Sequence, residues 1–312
     1  MEMFLHSVVS VAIILLLTAT GYFCAARGWM GQESKAFLSK FLMNIAIPAM
    51  CVYGLTHNLT HEMIASSGKM LLVPLICCTL MFLLSFAAAK LLRLPRKSLG
   101  VFMMMASLSN CVFIGYAMCS ELFGSVCTPY VMLYYLVSTS FTQLVGLSLI
   151  RWSGESEAHV PLRRTALKFI KTPTVIGILI GFVLVFGDIQ LPSLIASYTR
   201  YMNDIVTPLA LLLTGQIIHE IGLSRLRLDR TQGVMMLFRF LIGPGLCMLL
   251  CVLLGVDGLA RSVFVVEAAM PVVTQTVVAS AEYGADEKLA AQGAALSTLA
   301  CFVVIPVLML LL

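Results

Sequence analysis

The chain has few charged residues. Asp, Glu, Lys and Arg make up 11% of its 312 residues, whereas 60% of the residues are hydrophobic. Soluble globular proteins carry roughly 25% charged residues. A polar segment long enough to form a soluble module is also missing, because the longest polar gap is 152–172. These absences exclude an ordinary water-soluble domain and indicate a protein embedded in a lipid bilayer.

Motifs of several enzyme and metal-binding classes are missing as well. There is no Walker A loop, which argues against ATP-driven transport. The ten cysteines include no C-x-x-C pair, so they predict neither a disulfide framework nor a metal site. His57 and His61 have the spacing of one helix face, but two histidines alone are weak evidence for a metal. The net charge of +5 gives no case for nucleic acid. We therefore expect no enzymatic activity, no cofactor and no bound metal.

Long apolar runs recur along the whole chain. A helix needs about 20 apolar residues to cross the hydrocarbon core of a bilayer. Backbone groups in lipid must be satisfied within the segment, so each run should be helical. The sequence predicts an all-α integral membrane protein with ten transmembrane helices. The predicted ranges are 5–26, 35–55, 68–90, 98–122, 128–151, 173–187, 197–219, 233–255, 259–283 and 288–311.

The basic residues predict the orientation of the chain. With ten helices, all but three of the 20 Lys and Arg residues fall on one side, the exceptions being Lys69, Arg200 and Arg261. Arg239 is counted with the basic side, as part of the connection before the eighth helix. Basic loops stay in the cytoplasm. The prediction is a multi-pass protein of the cell membrane with both termini outside.

The two halves of the chain look related at an offset of 160 residues. The matched pairs are Pro48 with Pro208, Gly21 with Gly181, and Phe123-Gly124 with Tyr283-Gly284. We predict a first five-helix repeat at 1–152, a cytoplasmic linker at 153–172 and a second repeat at 173–312. Because five is odd, the second repeat should be inverted. Inverted repeats are common in secondary transporters, whose sites lie near the midplane at broken helices.

Helices 4 and 9 carry helix-breaking residues at matching positions. Helix 4 contains Ser109 and Asn110, and helix 9 contains Pro271 followed by a polar segment, Thr274, Gln275 and Thr276. Proline removes a backbone donor and clashes with the preceding turn. Each break would expose a half-helix N-terminus, which favours anions. These six residues are predicted to bind substrate. The alternative is that Pro271 only kinks a packed helix and Asn110 only joins two helices.

Other polar residues also lie inside apolar helices. Asn44 and Asn203 stand shortly before the matched prolines and are predicted to complete the pocket, and Gln143 is a further candidate that could instead join helices. Asp204 and Glu267 are candidates for coupling to a proton or sodium ion, because intramembrane carboxylates usually face a cavity or partner. The alternatives are that Asp204 caps the start of helix 7 and that Glu267 snorkels to the interface.

In these residues the sequence resembles the auxin efflux carrier (PIN-like) family, whose bacterial members include carriers of malonate and other carboxylates. The resemblance rests on Asn44 to Pro48, Ser109-Asn110 to Gly124, Pro208 to Gly215, and Met270-Pro271 to Gly284, in this order along nearly the full chain. It implies that helices 4 and 9 cross at their breaks and that a transport unit moves like an elevator against a scaffold. In this resemblance Asn110 matches a substrate-contacting asparagine in helix 4 of the plant carriers, and Asn203 matches an asparagine in their helix 7.

Ser109 and Thr276 stand where the plant carriers have proline, which argues against an indole-type substrate. We therefore expect a secondary carrier for a small mono- or dicarboxylate such as malonate or malate. An exporter of auxin-like aromatic carboxylates and a membrane sensor or scaffold without transport are the alternatives. The substrate, the transport direction, the coupling ion and assembly as a homodimer are left open by the sequence.

Overall fold

The computed structural model describes residues 2–59, 61–154, 167, 170–222 and 226–312. Within these residues the regular secondary structure is helical, apart from one isolated antiparallel bridge between Ser109 and Val272. Most of the linker expected at 153–172 lies outside the described residues, as do Arg163, Arg164 and Lys168. The prediction of an all-α protein is confirmed for the part of the chain that is described.

The described helices follow the predicted segments closely. Their bounds are α1 Glu2–Ala26, α2 Gln32–Asn58, α3 His61–Leu91, α4a Arg96–Ser107, α4b Cys111–Phe123, α5 Ser125–Ser153, α6 Pro173–Phe186, α7 Ser193–Ile221, α8 Arg230–Leu254, α9a Gly258–Ala268, α9b Gln275–Glu282 and α10 Glu287–Leu308. Several contain a π-helical turn, for example Leu42–Ala46 in α2 and Phe238–Ile242 in α8. Seven of these helices (α1, α2, α3, α5, α7, α8 and α10) are long and apolar enough to cross a membrane.

The remaining apolar segments are short or interrupted. Helix α6 has 14 residues. Helix α4 is interrupted at Leu108–Asn110, and helix α9 is interrupted between Ala268 and Gln275. The sequence predicted interruptions in these two segments, and they are present. The half-helices α4b and α9b are each followed by a glycine with positive φ, Gly124 (+75°) and Gly284 (+69°). Residues with a Cβ rarely adopt this backbone conformation.

Glycines allow close contact in two helix pairs. Gly21 of α1 lies against the backbone of Leu212 in α7, and a Cβ at Gly21 would clash there. In α6, Gly177 lies against Pro48 of α2 and Gly181 lies against Leu55 of the same helix. Small residues let transmembrane helices approach closely, so that dispersion forces can hold them together without a hydrophobic driving force. Helix α1 therefore packs on α7 as α6 packs on α2.

One assignment from the sequence is wrong. Arg239 was counted as a cytoplasmic loop residue, but it lies inside α8 and is only 1% exposed. It therefore cannot serve as evidence for the orientation of the chain. The positive-inside rule counts cations in loops near the ends of helices, and it has no means of recognising a cation that is held by partners inside the protein.

Candidate functional site

The interrupted segments of α4 and α9 meet and pair through their backbones. The Asn110 backbone N–H donates to the Pro271 carbonyl at 2.8 Å, next to the bridge between Ser109 and Val272. The Val272 N–H donates to the hydroxyl of Ser297 in α10 at 3.0 Å. Buried backbone groups need partners, and this short extended pairing supplies them where the two helices are unwound. The unwound segments are thereby held in contact with each other.

Arg239 binds the carboxyl ends of both first half-helices. Its guanidinium donates to the carbonyls of Ala268 (2.9 Å) and Met270 (2.7 and 3.1 Å) in α9, and to the carbonyl of Ala106 in α4a at 3.4 Å. It also donates to the Ser109 hydroxyl at 2.6 Å. The last carbonyls of a helix have no partner within the helix and carry partial negative charge. One buried cation therefore satisfies two helix ends, a role that the sequence analysis did not identify.

The second half-helices begin at a common cavity on the other side of the crossing. This cavity has a volume of about 80 Å³. Its lining comprises Met43, Ser109, Asn110, Cys111, Val112, Phe113, Tyr135, Ser138, Thr139, Thr142, Val273, Thr274 and Gln275. The first residues of α4b and α9b, Cys111 and Gln275, are both among them. The backbone N–H groups in the first turn of a helix carry partial positive charge, so two such termini favour a negative ligand in this cavity.

Asn110 presents an unpaired donor at this cavity. Its side chain is 4% exposed, and its Nδ2 has no hydrogen-bond partner among the described residues. A buried amide left unpaired costs about 1–3 kcal/mol, so such a group needs an explanation. A ligand oxygen in the cavity would accept from Nδ2 and remove this cost. The predicted residues Ser109, Asn110, Thr274 and Gln275 are therefore brought together by the fold.

Gln143, Pro271 and Thr276 lie next to the cavity and do not line it. The Nε2 of Gln143 donates to the Oε1 of Gln275 at 3.5 Å, which links α5 to the start of α9b. Pro271 contributes its carbonyl to the crossing. Thr276 is fully buried, and its hydroxyl has no hydrogen-bond partner among the described residues. The roles of these three residues in binding stay predictions.

Asn203, Asp204 and Asn44 lie away from this cavity. The Oδ1 of Asn203 accepts a hydrogen bond from the Tyr116 hydroxyl at 2.8 Å, and its Nδ2 donates to Asp204 at 3.1 Å. Asp204 is exposed and lies well inside α7, which begins at Ser193, so it does not cap the start of that helix. Asn44 is exposed and donates to the Lys40 carbonyl of its own helix at 2.7 Å. The participation of Asn44 and Asn203 in the pocket stays a prediction.

Glu267 is fully buried, so it does not snorkel to an interface. It lies on α9a, one residue before the end of that half-helix, and faces α4b, where a Cβ at Gly115 would come within 2.5 Å of its carboxyl oxygens. The thiol of Cys119 lies 3.6 Å from its Oε1, and its Oε2 has no hydrogen-bond partner among the described residues. An intramembrane carboxyl group in such surroundings marks a candidate functional position.

A wider cavity of about 800 Å³ opens next to α9b. On one side it is lined by Lys35 and Glu220, which form an ion pair between α2 and α7. On the other side it is lined by Glu287, Lys288 and Gln292 of α10. Val277 of α9b lines this cavity, one helical turn from Thr274 in the smaller cavity. The wide cavity therefore reaches the same half-helix whose N-terminus lines the smaller cavity.

Apolar helices of spanning length, broken helices that cross, and a polar cavity at the crossing are features of membrane transporters. Comparison with known proteins agrees with this class. A family model described as a membrane transport protein matches residues 6–309. The chain belongs to this family, the auxin efflux carrier family that its motifs resemble, and the resemblance is confirmed. It is a multi-pass membrane protein of a transporter family.

Several curated relatives are similar over much of their length. An uncharacterized transporter of Methanocaldococcus jannaschii is 26% identical over 293 residues, which cover 92% of this chain and 93% of the relative. An uncharacterized transporter of Methanothermobacter thermautotrophicus is 26% identical over 309 residues, 97% of each chain. The uncharacterized transporter YfdV of Escherichia coli is 24% identical over 253 residues, 69% of this chain and 79% of the relative.

Proposed function

We propose that the chain is a secondary carrier that moves a small organic anion, a mono- or dicarboxylate such as malonate or malate, across the cell membrane. The carboxylate would bind in the cavity at the crossing of α4 and α9. The observation that carries the proposal is the meeting of two half-helix N-termini, at Cys111 and Gln275, around the unpaired amide of Asn110.

The charges around the crossing support an anionic ligand. The first residues of α4b and α9b line the cavity, at the positive ends of these half-helices, whereas carbonyls at the ends of α4a and α9a are bound by Arg239. Arg239 also donates to Ser109, whose side chain belongs to the cavity lining. Fixed donors and a nearby buried cation stabilise negative charge without requiring a cation that contacts the ligand directly.

The size of the cavity favours a small substrate. Room for one water molecule takes roughly 10–15 Å³, so about 80 Å³ holds several waters or an ion of a few heavy atoms. Sites for drug-sized ligands usually measure about 300–1,000 Å³. An indole-type carboxylate would need the cavity to widen, which is why a small aliphatic carboxylate is the preferred substrate class.

Ten spans arranged as two inverted five-helix repeats account for the pairing of the helices. If the two repeats are superposed on each other, α1 matches α6 and α2 matches α7. The close contact of α1 with α7 then has its counterpart in the contact of α6 with α2, and both are made through glycines. The crossing of α4 with α9 is likewise preserved by this superposition. An odd number of spans per repeat requires the two repeats to have opposite orientations.

An elevator-type motion is the proposed mechanism. Helices α1, α2, α6 and α7 form the scaffold, and the remaining helices carry the crossing. The wide cavity lies between these two groups, because Lys35 and Glu220 belong to the scaffold and Lys288 belongs to α10. It would give access to the site from the side on which the basic loops lie. Movement of a net charge would cost or yield about 2.3 kcal/mol per 100 mV of membrane potential.

Transport of labelled malonate and malate in proteoliposomes tests the proposal. Counterflow, in which unlabelled substrate inside drives the entry of labelled substrate, needs no assumption about coupling. We expect counterflow with the wild type and a loss of at least about tenfold with Asn110→Ala, because the buried, unpaired amide donor of the cavity is removed, and a lost bond to a charged ligand costs about 1.5–3 kcal/mol.

Asn58→Ala is the matched control. Asn58 is half-buried in α2, and among the described residues its side chain donates to the Gly54 carbonyl of its own helix at 3.2 Å. It should retain counterflow. Equal rates for Asn110→Ala and the wild type would remove Asn110 from the site. Stabilisation of the protein against heat by these acids, without any flux in liposomes, would instead support a sensor.

A further inference from the structure

Two ionisable side chains are buried at the crossing, and each lies beside a residue that lines the small cavity. Arg239 donates to Ser109, and Glu267 lies beside Cys111 and Cys119. Both Ser109 and Cys111 line the cavity. Arg239 and Glu267 approach the crossing from different helices, and no ion pair joins them. A negative ligand in the cavity would feel both charges.

The groups that face these two residues are neutral in their ordinary states. Glu267 faces the thiols of Cys111 and Cys119 on α4b and Cys127 at the start of α5. Arg239 faces the Tyr134 hydroxyl on α5 and the thiols of Cys77, Cys78 and Cys111. Thiols and phenols are ordinarily uncharged near pH 7. The formal charge at the crossing is therefore set by Arg239, Glu267 and the ligand, because the half-helix ends that meet there carry partial charges of both signs.

We infer that Glu267 is the proton-carrying group of the carrier and that Arg239 balances, in turn, the Glu267 carboxylate and the substrate. This inference rests on the proposed function. In the loaded state Arg239 is positive, Glu267 holds a proton and the substrate contributes one negative charge. In the empty state Glu267 has released the proton and is itself the negative charge. Both states are neutral at the crossing, so both can move within the low-dielectric interior.

The other two states carry a net charge and are disfavoured. A protonated empty carrier would have an unbalanced Arg239, and a loaded carrier with ionised Glu267 would have one negative charge in excess. One proton therefore moves in the same direction as each singly charged anion. Since the substrate must carry a single negative charge, the expected substrates are monocarboxylates and dicarboxylates with one of their two carboxyl groups protonated.

The surroundings of Glu267 favour a proton over a sodium ion. Hard cations prefer carboxylate, carbonyl and water oxygens, whereas thiols suit soft metals. The side chains found around the Glu267 carboxyl belong to Cys111 and Cys119, with Gly115 alongside. These neighbours offer a sodium ion no oxygen ligand from a side chain. A proton needs no ligand besides the carboxylate.

The wild-type protein can test the inference directly. Proteoliposomes in sodium-free buffer receive labelled malonate at mildly acidic pH, with a pH-sensitive dye inside and the membrane potential clamped by potassium and valinomycin. An inward proton gradient should raise malonate uptake several-fold, malonate should acidify the lumen, and a change of potential should have little effect. Malonate counterflow without any response to the proton gradient, or a requirement for sodium, would overturn the inference and leave the proposed function standing.

Glu267→Gln separates exchange from net transport. The amide cannot release a proton, so the empty carrier keeps an unbalanced Arg239, whereas the loaded carrier remains neutral. Counterflow should persist, and net uptake and malonate-driven acidification should be lost. Glu282→Gln, which changes an exposed carboxylate on α9b, should behave like the wild type. If Glu267→Gln acidifies the lumen as fast as the wild type, Glu267 is not the proton-carrying group. If Glu267→Gln does not fold, the response of wild-type malonate uptake to the proton gradient decides. Absence of malonate counterflow in the wild type would refute the proposed substrate and this inference together.

Discussion

Replacement of Arg239 by methionine should destabilise the folded protein strongly. Methionine occupies much of the same space but donates no hydrogen bond, so the carbonyls of Ala268 and Met270 lose their partners. Each buried acceptor left unpaired costs about 1–3 kcal/mol. The bond to Ala106 is long, at 3.4 Å, and adds little. Two acceptors therefore give a loss of about 2–6 kcal/mol, a large share of a total stability of about 5–15 kcal/mol.

A thermal melt of the detergent-purified protein measures this loss. One kcal/mol corresponds to about 2–4 °C in a domain of 150–250 residues, so a loss of about 2–6 kcal/mol should make Arg239→Met melt about 4–24 °C below the wild type. Arg239→Lys keeps the charge and part of the donor set and should fall between the two, because lysine lacks the planar fork.

Arg200→Met is the control for loss of a cation from a membrane helix. Arg200 is exposed and lies 5.5 Å from the ring centre of Tyr201, and an exposed cation–π contact contributes only about 0.5–1 kcal/mol. A melting temperature of Arg239→Met within about 2 °C of the wild type would refute the claim that Arg239 holds the end of α9a.

Further predictions concern the neighbourhood of the site. Gly115→Ala should lower both the melting temperature and counterflow, because its Cβ would come within 2.5 Å of the Glu267 carboxyl; Gly233→Ala, which meets no atom within 4 Å, should do neither. Gln143→Ala should reduce substrate affinity by about 2–13-fold, since one neutral hydrogen bond that positions its partner on α9b is worth about 0.5–1.5 kcal/mol; an unchanged KM would speak against this role. Asn44→Ala should change counterflow little, because the side chain donates only to its own helix, and a loss like that of Asn110→Ala would show that Asn44 reaches the substrate.

The helices and the positions of the two interruptions could be predicted from the sequence. Apolar runs of spanning length give most helix bounds within a few residues, because the bilayer fixes the length of a spanning helix, although α3 begins at His61 and not at the predicted residue 68. Ser109, Asn110 and Pro271 marked the interruptions, since each either removes a backbone donor or offers a side chain that competes for one. These are local properties of the chain, and the sequence records them directly.

The partners of individual polar side chains could not be predicted in the same way. Arg239 stands inside the predicted helix 233–255, but its carbonyl partners come from two segments that are distant in sequence. Asn44 and Asn110 look alike in the sequence, and only the rotation of each helix in the fold decides that one is exposed and the other buried. The apolar neighbours on both sides of Arg239, in Phe238-Arg239-Phe240, were the sign in the sequence that this cation is buried.

A map of the purified protein by cryo-electron microscopy, with malonate or whichever carboxylate gives the strongest counterflow, would show where the carboxylate binds. We expect ligand density between the starts of α4b and α9b, with a carboxylate oxygen about 2.7–3.2 Å from the Asn110 Nδ2. Density confined to the wide cavity between Lys35 and Lys288, with the cavity at the crossing empty, would contradict this prediction.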